Sequence, residues 1–130
     1  MPDHNVYDYA IIRLVPRVER EEFINVGVIV SCPARDFLEA RIEVDEQRLR
    51  ALDPIVDMES VSIHLATIPA ICSGAPDAAP ISQLPLRRRF EWLTAPRSTV
   101  IQTSPVHSGY CQNPTDVLDS LLETMVRLRR

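Results

Sequence analysis

The chain has 130 residues, 45% hydrophobic, 25% charged and 5% aromatic, which is the profile of one globular domain over residues 1–130 with a single core. Its formal net charge of −4 disfavours nucleic acid as a general partner, because phosphate contacts need a concentrated positive field. No apolar run approaches the ~18 residues that span a bilayer, no basic-then-apolar leader opens the chain, and Cys32, Cys72 and Cys111 stand far apart, so no membrane and a reducing, cytoplasmic setting are expected.

"VYDYAIIRLVP" (6–16) is rich in Val, Ile and Tyr and stops at Pro16, so it predicts a strand. "FINVGVIVSC" (23–32) predicts a second, and the charged stretch between them (Arg17, Glu19, Arg20, Glu21, Glu22) is a hairpin connection. After a turn at 33–36, "FLEARIEV" (37–44) alternates, with Leu38, Ala40, Ile42 and Val44 inward and Phe37, Glu39, Arg41 and Glu43 outward. Asp45 caps a short helix over 46–52. Asp53 and Pro54 read as the cap and first residue of a longer helix. Its stripe is Met58, Val61, Leu65, Ile68 and Cys72, and Pro69 is expected to kink or end it. Residues 73–83 read as loop, and "PLRRRFEWL" (85–93) as a short helix with Leu86, Phe90 and Leu93 on one face. "STVIQTS" (98–104) predicts a fourth strand, and 105–112 a loop or short strand. Asn113 and Pro114 then open a last amphipathic helix with Val117, Leu118, Leu121, Leu122, Met125 and Val126 on its face. The terminal arginines Arg127, Arg129 and Arg130 suit the negative end of its dipole. The order predicts an α+β fold: a mostly antiparallel sheet of about four strands, with helices packed on one face.

Asn25 and Gly27 are unusual inside so apolar a strand. With the hairpin centred near Glu19, Arg13 falls opposite Asn25 and Ile11 opposite Gly27. Tyr9, Ile11, Arg13, Phe23, Asn25, Gly27 and Ile29 then share one face, away from a core face of Ala10, Ile12, Leu14, Ile24, Val26, Val28 and Val30. Such a face would receive an anionic or amide-bearing ligand, or another chain. The alternative is structural: a β-bulge at Asn25 and Gly27, and an Arg13–Glu22 pair.

All the basic residues are Arg, which offers a planar fork for carboxylate or phosphate, and also fits a GC-rich genome. Arg87, Arg88 and Arg89 span about 200° of helix arc, so they diverge rather than converge on one ligand. Polar groups concentrate in "RSTVIQTSPVHSGYCQNP" (97–114), where Arg97 and Ser98 or Ser104 are expected to converge with Arg13 on an anion, the alternative being that these groups satisfy one another as a structural network. His107 and Cys111 would need remote partners (Cys32, Cys72, His4 or His64) to bind a metal, and no CxxC or HxxxH spacing supplies them. No Walker loop, GxSxG elbow or GxGxxG occurs, so no catalytic residue, metal or cofactor is assigned.

"YDYAIIRLVPRVEREEFINVGVIVSCP" and "WLTAPRSTVIQTSPVHSGYCQNPTDVLDSLLETMV" resemble a bacterial family described only as domain of unknown function 3037, from about Tyr7 to Val126. The resemblance implies small stand-alone proteins whose genes neighbour those of HipA-like kinases, and hence a partner or regulator of such a kinase. Matching positions are Arg13, Arg17, Glu22, Asn25, Gly27, Arg97, Ser98, Ser104 and Gly109. Two further expectations stand beside a non-enzymatic partner: a small enzyme or binder acting on a phosphate ester or nucleic acid through an Arg-lined site, and a metal or thiol site at His107 and Cys111.

Overall fold

The computed structural model describes residues 4–128, so the expectation for Arg129 and Arg130 lies outside the described residues. Five strands form one antiparallel sheet: β1 (Asn5–Leu14), β2 (Ile24–Cys32), β3 (Phe37–Ile42), β4 (Ile101–Thr103) and β5 (His107–Cys111). The order is β3-β2-β1-β4, and β5 pairs with β1 further along the same edge as β4. Ser104 and Pro105 separate β4 from β5. Proline has no N–H to offer the ladder, and beside it the Ile11 N–H donates to the Ser104 hydroxyl at 2.8 Å instead of to a strand carbonyl.

Four helices complete the α+β fold: α1 (Glu46–Leu52), α2 (Met58–Ser73), α3 (Leu86–Leu93) and α4 (Pro114–Leu121). The helices divide between both faces of the sheet rather than sharing one. Helices α1 to α3 cover Ile12, Leu14, Ile24, Val26 and Ile29 with Leu49, Val61, Leu65, Ile68, Phe90 and Leu93. Helix α4 and the turn that continues it cover Ile11, Val28 and Val30 with Leu118, Leu121 and Leu122. Strand β2 is buried on both sides, which is why it reads as a continuous apolar run rather than an alternating one. The outward residues of β3 follow the same logic. Arg41 pairs with Asp119 of α4, and Arg127 beside Glu43 holds that carboxyl below the usual carboxylate range.

The second helix begins at Met58 rather than Pro54. Asp53 closes α1, its N–H bonded to the Leu49 carbonyl at 3.0 Å, and Asp57 caps α2 by accepting from the Ser60 N–H at 3.1 Å. Pro69 is carried inside α2, which runs on to Ser73. Asn113 caps α4 as expected, accepting from the Thr115 N–H at 3.0 Å. The last turn widens into a π turn (Leu122–Val126), closed by the Arg127 N–H on the Leu122 carbonyl at 3.1 Å. That extra residue per turn rotates Met125 out to solvent and keeps Val126 buried.

Candidate binding site

A β-bulge decides the local geometry. Arg13 lies opposite Asn25, but the register shifts between Ile12 and Arg13, so Ile12 lies opposite Gly27 and Ile11 opposite Val28. Gly27 therefore belongs to the α1–α3 side and not to the face of Arg13, a correction to the evenly paired hairpin. What approaches Gly27 is the protein itself. A Cβ there would sit 2.5 Å from the Arg41 carbonyl oxygen of β3 and 3.0 Å from Ile12.

Asn25 does share the Arg13 face, and its amide donates to the Met125 carbonyl at 2.9 Å. Arg48 donates to the Val126 carbonyl at 3.3 Å. Together they satisfy carbonyls that the end of the last helix would otherwise leave open. Asn25→Ala is expected to cost about 1 kcal/mol, read as a lower denaturant midpoint, because one such bond is lost.

On β4, Gln102 lies opposite Arg13 from the other side, so Asn25, Arg13 and Gln102 form a polar row across three strands. The Arg13 guanidinium sits 4.4 Å from the centroid of the half-exposed Phe23 ring. Arg13 is itself only partly exposed, and its Nε is buried with no hydrogen-bond partner. The other arginines make a contrast. Arg17, Arg20, Arg41, Arg50, Arg87 and Arg127 pair with carboxylates. Arg35, Arg48, Arg89 and Arg97 donate to backbone carbonyls. Among the described residues only Arg13 and Arg88 make neither contact, and Arg88 is exposed on the α3 surface while Arg13 is only partly so.

The remaining predicted residues scatter. Arg17 pairs with Glu19 at 2.8 Å and Glu22 with Arg20 at 2.5 Å, so the hairpin tip is self-neutralised and Glu22 does not reach Arg13. Arg97 stacks on Trp92 at 4.4 Å and donates to the Trp92 carbonyl at 2.6 Å, capping α3 on the opposite side of the sheet from Arg13. Ser98 is exposed and Ser104 is buried in the β1–β4 ladder. The convergence of Arg97 and Arg13 on one anion is thus excluded by topology: β4 brings Gln102, not Arg97, to Arg13. Gly109 lies under the Tyr7 ring, where a Cβ would be 2.7 Å from the phenol oxygen.

His107 and Cys111 are no dyad. They end the same strand about 13 Å apart at the usual rise. His107 stacks on Tyr9, with ring centroids 5.4 Å apart. All three cysteines are free and buried. Burial pushes the Cys111 thiol up and the Cys72 thiol up to about 12, the opposite of an activated nucleophile. No cluster of three or more His, Cys, Asp or Glu able to hold a metal ion occurs among the described residues, and no helix there is long and apolar enough to cross a membrane.

A concavity of about 490 Å³ lies on the other side of the sheet from Arg13, between α2, the end of α3 and β4. Its floor is Val61, Ile68, Leu93 and Ile101, and Trp92 and Arg97 close one end. Nothing in the sequence pattern marked it, because its walls come from three separated segments.

No curated protein matches the chain, and no solved structure does. Residues 9–126 match a family model, and the chain belongs to that family, described as Protein of unknown function (DUF3037).

Proposed function

We propose that the chain is a non-enzymatic binding protein of the cytoplasm whose polar row, with Arg13 at its centre, receives an anionic group of a partner. One observation carries the reading: a half-buried guanidinium with no internal acceptor, where every other arginine among the described residues except the exposed Arg88 is paired. Burying such donors unpaired costs free energy, and an incoming carboxylate or phosphate would recover it through charge-assisted bonds. Asn25 is anchored to α4 and Gln102 to the Thr99 carbonyl at 2.8 Å, so the flanks of Arg13 are preset. The partner implied by the family resemblance is a HipA-like kinase. The Phe23 ring beside Arg13 favours a second reading, a phosphate ester or nucleotide whose base stacks there.

The test is co-expression of the tagged chain with a HipA-like kinase of the same genome. Retention of the kinase, weakened by about tenfold or more in Arg13→Gln, is the expected result, since losing one strong bond is worth about that factor. A kinase that never co-purifies, or that the variant retains equally, overturns the partner reading. In that case saturable binding of a nucleoside monophosphate, lost in Arg13→Gln, would support the second.

A further inference from the structure

The outer edge of β4 and the groove beside it lie apart from Arg13, on the other side of the sheet. The Val15 N–H donates to the Val100 carbonyl at 2.7 Å and the Ser104 N–H to the Ile11 carbonyl at 2.8 Å. Residues 100, 102 and 104 therefore turn their backbone groups toward β1. Alternation turns those of Ile101 and Thr103 outward. The Ile101 carbonyl is taken by the Thr99 hydroxyl at 2.9 Å. The N–H groups of Ile101 and Thr103 face away from the sheet, and β4 ends the strand order.

Exposed edges are ordinarily blunted by charge or proline, or by being very short, as the three-residue β4 is. The β3 edge carries Glu39, Arg41 and Glu43, and Pro105 precedes β5, whereas "STVIQTS" (98–104) carries neither. Alongside this bare edge runs the groove of about 490 Å³. Among the described residues no carboxylate lines it, and Arg97 is its one permanent charge. We infer that this edge takes an extended, acidic peptide segment of a partner as an added strand, with an apolar side chain seated on Val61, Ile68 and Ile101 and a carboxylate toward Arg97. Backbone bonds to Ile101 and Thr103 supply affinity in that mode, and the groove supplies selectivity.

The experiment selects a displayed library of random peptides against the whole chain. A selected peptide is then measured on the parent and on three variants. Thr67→Trp, exposed on the groove rim, fills the groove without touching the core. Thr103→Pro removes an outward donor that the ladder does not use. Arg13→Gln leaves this surface intact. The expected outcome is acidic peptides with alternating apolar residues, bound about tenfold or more weakly by Thr67→Trp and Thr103→Pro. Arg13→Gln should bind them unchanged, and amide exchange at Ile101 and Thr103 should slow on binding. Failure to select any peptide, equal binding by Thr67→Trp, or self-association of the chain that Thr103→Pro abolishes would each overturn the inference. The unchanged Arg13→Gln arm separates its failure from failure of the Arg13 site.

Discussion

Gly27→Val is expected to lower the stability of the protein by about 3 kcal/mol or more, measured by denaturant unfolding, because overpacking and backbone displacement are among the costliest changes a core can suffer. The Cβ alone would stand 2.5 Å from the Arg41 carbonyl oxygen, 3.0 Å from Ile12 and 3.2 Å from Ile42. The first neighbour is backbone of β3, which cannot swing aside without breaking the β2–β3 ladder. The other two are core side chains. Adding a methylene next door, in Val28→Ile, should cost only about 1 kcal/mol, since a side-chain space already exists there. Equal stability of Gly27→Val and the parent would show that β2 and β3 are not held at this separation.

Leu118→Ala is expected to cost about 3 kcal/mol, the usual loss for a fully buried leucine whose cavity does not collapse. Leu118 is 0% exposed and lies against Ile11, Val28 and Val30, the side of the sheet away from α1 to α3. The variant therefore tests whether α4 is a true second layer. A denaturant midpoint equal to the parent's would mean that this face is not sealed by α4.

The antiparallel meander, the capped last helix and the Arg13–Asn25 pairing were legible in the sequence, because strand alternation, Asn-Pro caps and hairpin centring are all local signals. Other features were not. The bulge beside Gly27 was legible only as the alternative to an even hairpin: a glycine and an amide within so apolar a strand mark it, but periodicity cannot say which residue it inserts. The second helical layer had a signal as well. "VGVIV" (26–30) lacks the polar alternation of a half-exposed strand, which points to burial on both faces. Asn25 as a cap for α4 had none, since its acceptor lies 100 residues on. Arg97 was placed wrongly for a different reason. Its strand does join the sheet, but the strand begins only at Ile101, and the intervening turn returns Arg97 to the end of α3.

Arg13→Met measures directly whether Arg13 is kept out of the internal network. The methionine retains the apolar stem against Phe23 and removes the charge. If the guanidinium is reserved for a partner, unfolding in denaturant should show the variant as stable as the parent or more stable by about 1 kcal/mol, the cost of leaving a buried donor unpaired. A loss of about 2 kcal/mol or more would show instead that Arg13 holds the fold together, and would contradict the account.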